Sequence, residues 1–218
     1  MVQKSPMSLR TRVKICGITR VQDAKAVCAA GVDAIGLVFY AKSPRNIAIS
    51  QALAIVDALP AFVTVVALFK DPDQAFVRSV IDQLPIDLLQ FHGSESEAFC
   101  QQFAKPYIKA VGMQAQQDLA EFSSRYLSAR GLLLDSHAIG EDGGSGDVFD
   151  WGTIPVAIRH QITLAGGLRP DNIAAAIKQV RPFAVDISSG VESSGGIKDE
   201  LLINAFMNEV KRVDCEHE

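Results

Sequence analysis

The sequence predicts a single-domain α/β protein of the parallel (βα)8, or TIM-barrel, class. Chain length and a repeating pattern of short apolar runs carry this prediction. The chain has 218 residues, and one such barrel usually needs about 200–250 residues. Eight runs rich in Val, Ile, Leu and Phe are expected to be strands: Val13–Cys16, Ala34–Phe39, Thr64–Phe69, Leu88–His92, Tyr107–Val111, Gly131–Asp135, Ile162–Ala165 and Ala184–Ile187.

The spacing of these runs supports a parallel sheet. They begin roughly every 24 residues, which leaves room for one strand and one helix per repeat. Near-continuous apolar strands that alternate with helices are typical of a parallel sheet covered on both faces. Six or seven units would have favoured an open doubly wound sheet, whereas eight favour closure. We expect one domain over residues 1–218, in which residues 1–12 form a loose N-terminal arm.

Local signals predict where several helices begin and end. Thr19 and Ser94 are each followed three residues later by Gln or Glu, the pattern of a capping box. Gly31 stands where a helix should end. The sixth helix is predicted over Asp150–Arg159, where an internal proline weakens the pattern. The last helix is predicted over Lys198–Val213.

Composition excludes several classes of protein. The net charge of -4 comes with no basic stripe, so nucleic acid is not an expected partner. The four cysteines form no C-x-x-C pair and no metal-ligand spacing, which argues against a disulfide framework or structural zinc. No apolar run approaches the roughly 20 residues that span a bilayer. We expect a cytoplasmic protein, monomeric or homodimeric, that does not bind membranes.

In a barrel of this class, chemistry belongs at the carboxyl-terminal ends of the strands. Cys16 ends the first run. A lone cysteine is most often a small buried hydrophobe, but its position makes Cys16 a candidate base. Lys14 lies two residues earlier and therefore on the same face of the strand. A nearby ammonium group favours the thiolate and makes the thiol a better base.

Two further strand ends carry titratable side chains. Asp135 ends the sixth run. An aspartate there is often a turn-former, but at the rim of an apolar barrel partial desolvation would suit it to act as a general acid. His92 ends the fourth run and shares a face with Gln90. It is expected either to contact a ligand or to be a satisfied structural histidine.

Glycines at the ends of the last two strands predict a phosphate site. Gly166 and Gly167 follow the seventh run, and Ser189 and Gly190 follow the eighth. Loops at these positions often bind phosphate through backbone N–H groups, and glycine lets the backbone approach the anion closely. The expected partner is a phosphorylated small molecule. The Gly143–Gly146 loop could close over it or could be a disordered connection.

Barrel closure predicts one buried ion pair. A closed barrel makes the eighth strand a neighbour of the first, so Asp186 should face inward beside Lys14. A buried lysine needs such a partner. A separation of more than about 6 Å between the charged groups, without an intervening water, would contradict this pairing.

The sequence resembles the phosphoribosylanthranilate isomerase family from about Val13 to Lys211. Several separate motifs occur in the same order, which makes the resemblance specific. Gly195 stands where many members have proline, and the N-terminal arm is longer. The matching motifs are Lys14–Thr19, Ser43–Arg45, Gln90–Gly93, Leu134–Asp135, Gly143–Gly146, Phe149–Trp151, Ala165–Leu168 and Ser189–Glu192.

This resemblance implies an activity and roles for particular residues. The family's reaction is an Amadori rearrangement that opens a furanose aminal and yields a 1-deoxyribulose ketone. Cys16 would be the general base, Asp135 the general acid, and Arg45 the group that binds the anthranilate carboxylate. No metal or redox cofactor is implied. The residues implied around the phosphate are Gly166, Gly167, Ser189 and Gly190.

Three other functions remain open on sequence alone. A metal-dependent sugar-phosphate epimerase would use candidate ligands among His92, Asp135, His137 and Asp186. A catalytically silent barrel could bind phosphorylated metabolites for regulation. An isomerase that also accepts a histidine-pathway aminoaldose would be expected to carry aspartate in place of Cys16.

Overall fold

The computed structural model describes residues 10–113, 118–136 and 148–216. Eight parallel strands close into a barrel in sequential order, with the last strand paired to the first, as predicted. Every predicted strand is present, within one residue at each end. The strands are β1 (Arg12–Cys16), β2 (Ala34–Phe39), β3 (Thr64–Phe69), β4 (Leu88–Phe91), β5 (Tyr107–Gly112), β6 (Leu132–Asp135), β7 (Thr163–Leu164) and β8 (Ala184–Ile187).

Helices lie outside the barrel between the strands. After β6, however, the predicted helix over Asp150–Arg159 is wrong. Two short 3₁₀ helices, Trp151–Thr153 and Val156–Gln161, stand there because Pro155 interrupts the stretch. The α-helices are α1 (Val21–Ala30), α2 (Ile49–Val56), α3 (Gln74–Gln83), α4 (Glu97–Gln101), α5 (Leu119–Ser124), α6 (Ile173–Val180) and α7 (Glu200–Cys215).

Both predicted capping boxes are wrong. The hydroxyl group of Thr19 instead donates a hydrogen bond to the carbonyl oxygen of Gly196. Helix α4 is capped by Ser96, whose hydroxyl oxygen accepts a hydrogen bond from the third helical N–H at 3.2 Å, and not by Ser94. The predicted end of α1 at Gly31 is confirmed, with φ 92° at that glycine.

The chain is tied to the barrel earlier than the predicted arm allows. Arg12 already belongs to β1. The backbone N–H and the hydroxyl of Thr11 each donate a hydrogen bond of 2.8 Å to the Asp214 carboxylate in α7. Residues 1–9 lie outside the described residues, as do the Gly143–Gly146 loop and His137.

Side chains along each strand point alternately out toward the helices and into the barrel, so the molecule has two separate packed regions. Outward-facing side chains pack with the helices into the main hydrophobic core. A small apolar cluster of Ile108, Ala110, Leu133 and Ala165 is separate from that core and belongs to the inward-facing set. Lys14, Gln90 and Asp186 are also buried. The barrel therefore carries a polar layer below its carboxyl-terminal mouth.

After the eighth strand the chain forms a hairpin before the last helix. Strands β9 (Glu192–Ser194) and β10 (Ile197–Lys198) pair antiparallel, following a 3₁₀ turn at Ser189–Val191. The predicted last helix begins at Glu200 and not at Lys198, which belongs to β10. Among the described residues, no helix is both long enough and apolar enough to cross a membrane.

Candidate active site

Lys14 and Asp186 form the predicted buried pair at the seam between β8 and β1. They are register partners in the two strands. The Lys14 ammonium donates hydrogen bonds of 2.9 Å to both carboxylate oxygens of Asp186, and both side chains are buried. The pairing satisfies two charges that would be costly to bury alone.

Cys16 lies directly above this pair and is only 6% exposed. Opposite it in register on β2 is Gly36. A Cβ atom at Gly36 would stand 2.6 Å from the Cys16 sulfur and 3.0 Å from the Lys14 ammonium nitrogen. The glycine is therefore needed at this position, because both groups occupy the space that a side chain would fill.

The charges around Cys16 act in opposite directions. Burial raises the pKa of the Cys16 thiol, while the Lys14 ammonium lowers it, Asp186 raises it and Lys198 lowers it. Burial alone would lower the pKa of Lys14, but Asp186 and Cys16 outweigh burial and raise it. The ammonium is therefore charged at neutral pH, whereas burial disfavours the thiolate. The ammonium reduces the cost of forming the thiolate.

Asp135 ends β6 on the other side of the mouth, and its side chain is 14% exposed. His92 follows β4 and places its Nε2 atom 3.5 Å from a carboxylate oxygen of Asp135. The side-chain nitrogen of Gln90 lies 3.1 Å from His92 Nδ1. When Gln90 donates to Nδ1, the imidazole is neutral and directs its Nε2–H toward Asp135.

Arg45 is held by Glu192, which is itself bonded to Lys198, and no pattern in the sequence predicts these contacts. Its Nε and Nη2 atoms donate hydrogen bonds of 2.8 Å to the two oxygens of Glu192. Glu192 also accepts a 2.7 Å hydrogen bond from buried Lys198. A side chain at Gly17 would collide with Arg45. The predicted carboxylate-binding arginine is thus already paired along one edge of its guanidinium.

The pKa values of Glu192 and Lys198 in this cluster are both lowered, for different reasons. Burial alone would raise the pKa of Glu192, but Arg45 and Lys198 outweigh burial and lower it. Burial lowers the pKa of Lys198 despite the opposing effect of Glu192. Glu192 belongs to the Ser189–Glu192 motif, but nothing local in the sequence predicts its contact with Arg45, which precedes it by 147 residues.

The glycines predicted to bind phosphate lie where the loops after β7 and β8 meet. Gly166 and Gly167 have φ values of 81° and 62°, which L-residues rarely adopt. A Cβ atom at Gly166 would collide with Ser136, and one at Gly190 with the carbonyl oxygen of Leu168. Ser189 and Gly190 form the 3₁₀ turn after β8. Close packing alone thus requires two of these glycines, and their contact with phosphate stays a prediction.

The candidate metal ligands do not form a cluster in the described parts of the chain. Within them, no group of three or more His, Cys, Asp or Glu side chains is arranged to hold a metal ion. His92 and Asp135 contact each other, and Asp186 is occupied by Lys14. The fourth candidate ligand, His137, lies outside the described residues.

Fold and site together define the class of the molecule. A closed (βα)8 barrel carries a buried thiol and a partly exposed carboxyl group at its carboxyl-terminal mouth. In this fold, catalytic groups come from the ends of several different strands. The class is a (βα)8-barrel enzyme.

Comparison with known proteins identifies the family. The model of the family described as N-(5'phosphoribosyl)anthranilate (PRA) isomerase matches residues 13–209. The N-(5'-phosphoribosyl)anthranilate isomerase of Pseudomonas fluorescens (strain Pf-5) is 54% identical over 201 residues, covering 92% of this chain and 96% of that protein. The chain belongs to the N-(5'-phosphoribosyl)anthranilate isomerase family.

Solved structures agree with this assignment. The phosphoribosyl anthranilate isomerase of Thermotoga maritima superposes with a TM-score of 0.84 at 40% identity, covering 93% of this chain and 99% of that chain. A phosphoribosyl anthranilate isomerase in complex with reduced 1-(o-carboxyphenylamino)-1-deoxyribulose 5-phosphate gives 0.81 at 37% identity, with 93% and 99% coverage.

Proposed function

We propose that this protein isomerises N-(5'-phosphoribosyl)anthranilate to 1-(2-carboxyphenylamino)-1-deoxyribulose 5-phosphate, a step of tryptophan biosynthesis, with Cys16 as general base and Asp135 as general acid. One observation carries the proposal. A member of this family presents a thiol and a carboxyl group at one barrel mouth, at the ends of β1 and β6.

Asp135 opens the sugar ring. Its carboxyl group donates a proton to the furanose ring oxygen, the bond from that oxygen to C1 breaks, and the anthranilate nitrogen lone pair forms an iminium. His92 at 3.5 Å orients the carboxyl group and stabilises the carboxylate that remains. Asp135 suits this role because a general acid must hold its proton in a fixed orientation toward the substrate.

Cys16, in its thiolate form, then removes the proton from the sugar C2 atom. The electrons of that C–H bond move into the iminium, which acts as the electron sink, and an enolamine forms. The enol loses its O–H proton while C1 gains one, which produces the ketone. The substrate has gained one proton and lost one, so the next turnover requires a proton to pass from the thiol back to Asp135. The chemistry needs no external oxidant or reductant.

The binding groups surround this pair. Arg45 receives the anthranilate carboxylate on the edge of its guanidinium away from Glu192, a geometry that suits its planar fork. His92 contacts the substrate between the two reactive groups. The phosphate is held by backbone N–H groups of the loops after β7 and β8, around Gly166, Gly167, Ser189 and Gly190.

A fluorescence assay tests the named reaction. Enzyme is added to freshly made N-(5'-phosphoribosyl)anthranilate, and the decay of anthranilate fluorescence is followed with and without a chelator. We expect decay that is unaffected by the chelator and far slower with Cys16→Ala. No decay with the wild-type protein would overturn the substrate, and decay abolished by the chelator would favour the metal-dependent epimerase.

The role of Arg45 has a separate test. Arg45→Ala should raise KM about tenfold or more with a smaller effect on kcat, because the lost contact serves binding. Glu192→Gln, which keeps the side-chain shape, should raise KM less. An unchanged KM in Arg45→Ala would show that Arg45 only supports the loop.

Location and assembly are part of the proposal. The four cysteines are unpaired, which agrees with a reducing cytoplasmic setting. The expected assembly is a monomer or a homodimer, which sedimentation of the purified protein would distinguish. A larger assembly would contradict this expectation.

A further inference from the structure

We propose that Lys14 is a positioning residue for proton transfer: its ammonium group, fixed by Asp186, stabilises the thiolate form of Cys16. This proposal rests on the proposed role of Cys16 as the base. It adds a source for the basicity of the thiol. The support comes from three strands, β8, β1 and β2.

The geometry of the ammonium group carries the first step. Lys14 has three N–H donors, and Asp186 takes hydrogen bonds of 2.9 Å on both of its oxygens. The Cys16 sulfur lies beside the ammonium, since both atoms are close to the same point on β2, and the ammonium lowers the pKa of the thiol. Because the pair is buried, solvent screens this interaction little. The cation is thus held between a fixed carboxylate and the sulfur that must become an anion.

Gly36 carries the second step. A side chain there would lie within 2.6 Å of the sulfur and 3.0 Å of the ammonium nitrogen. Strand β2 therefore leaves open the space that brings Lys14 and Cys16 together. A lysine that only filled the barrel interior would not need a glycine opposite both groups.

The surrounding charges make the proposal testable by sign. The charged groups that act on Cys16 are Lys14 and Asp186 below it, with Lys198 in β10 and Arg45 in the loop after β2. Asp135 and His92 act on Asp186 from across the mouth. Lys14 favours the thiolate and Asp186 opposes it. Removing Lys14 should therefore move thiolate formation to higher pH, and removing Asp186 should move it to lower pH. If the pair served only to stabilise the fold, the two variants would not shift the titration in opposite directions.

The experiment is a pH titration of the Cys16 thiolate by its ultraviolet absorbance. Cys28 and Cys215 are replaced by serine, and the same background carrying Cys16→Ala supplies the baseline. Burial raises the pKa of Cys100 to about 12, so Cys100 contributes little near neutral pH. No substrate is needed, so the result is independent of whether the proposed isomerisation is correct.

Lys14→Met should move thiolate formation to higher pH and lower the thiolate fraction at neutral pH about tenfold or more. Asp186→Asn should move thiolate formation to lower pH, because the negative charge that opposes the thiolate is gone and the ammonium no longer pairs with a carboxylate. In both variants kcat should follow the thiolate fraction, while KM changes little.

Lys109→Met is the matched control. Lys109 is also a buried lysine on a barrel strand, and its ammonium donates a 3.2 Å hydrogen bond to Glu95. It lies among the outward-facing residues, with its ammonium 5.6 Å from the ring centre of Tyr126. Its loss should destabilise the fold and leave the Cys16 titration in place.

Two results would overturn the proposal. One is an unchanged titration in Lys14→Met, and the other is a shift of Lys14→Met and Asp186→Asn in the same direction. If Lys14→Met does not fold, the near-isosteric Asp186→Asn decides alone: thiolate formation at lower pH supports the proposal, and an unchanged or higher pH refutes it.

Discussion

The two sides of the barrel mouth support their reactive groups by different means. On one side Cys16 stands over a buried ion pair, Lys14 and Asp186. On the other, Asp135 contacts His92, which in turn contacts the uncharged amide of Gln90. Both supports come from the inward-facing layer below the mouth, but only the first is built from full charges.

The difference follows from what each group must do. A buried thiol has a raised pKa, so a base made from it needs a nearby cation to form the anion. A general acid must keep its proton until the substrate is bound. A fixed cation beside the carboxyl group would favour its ionised form, so that the proton would be lost before the substrate arrives. A neutral imidazole and an amide can orient a carboxyl group without forcing it to ionise.

The largest effect is expected on the base side. Cys16→Ala should lower kcat by a factor on the order of 10²–10⁴, because proton transfer by a positioned side chain contributes about that much. Affinity for the product should change little, since a base acts mainly in the transition state. Single-turnover rates and product titration measure both quantities. Wild-type turnover would remove Cys16 from the mechanism, and Cys28→Ala in α1 serves as the control.

Asp135→Asn tests the acid side. The amide keeps the shape of the carboxyl group but cannot donate the required proton, so kcat should fall on the order of 10²-fold or more. The thiol titration of Cys16 should stay nearly unchanged. A variant that turned over at the wild-type rate would contradict the assignment of Asp135 as the acid.

Gly36→Ala should damage the base side without removing a reactive group. The added methyl would press on the sulfur and the ammonium. We expect a loss of stability of about 1–3 kcal/mol, together with a fall in kcat of about tenfold as the two groups separate. Thermal unfolding and turnover measure the two effects. Gly195→Ala is the control, since a Cβ there meets Pro44 at an ordinary 3.5 Å. Equal losses of stability and kcat in both variants would show that Gly36 is not specifically required beside the thiol.

The smallest effect is expected from Gln90→Met. This change removes the hydrogen bond to His92 Nδ1 and should lower kcat several-fold by loosening the imidazole beside Asp135. Cys16 should titrate as before. The pH dependence of kcat measures the change on its acidic side, and a shift in the Cys16 titration would show that the two supports are coupled.

Much of the fold and the part of the site around Cys16 could be predicted from sequence. They depend on the periodicity of apolar residues and on the closure of the barrel. Apolar runs at regular spacing predict eight strands, and alternation along a strand places Lys14 on the same face as Cys16. Closure makes β8 a neighbour of β1, which is why the pairing of Lys14 with Asp186 could be foreseen and is confirmed.

Helix ends were harder to predict because competing signals lie close together in the chain. Ser94 and Ser96 lie in one short segment before α4. Ser94 is followed three residues later by Glu97, as in a capping box, but it is Ser96 that accepts the hydrogen bond from the third helical N–H. Thr19 finds a partner in the Gly196 carbonyl, which belongs to a distant hairpin. Local patterns nominate caps, but tertiary partners choose among them.

Patterns along the chain are enough to predict the barrel, the strand-end positions of Cys16 and Asp135, and the ion pair beneath the thiol. The contacts of Glu192 and Lys198 with one another and with Arg45, and the space that Gly36 leaves around the thiol, become visible only in the folded molecule. The two groups of features differ in the distance over which the chain specifies them. Strand periodicity and register act between neighbours, whereas contacts among loops and the space left by an absent side chain exist only once the barrel has closed.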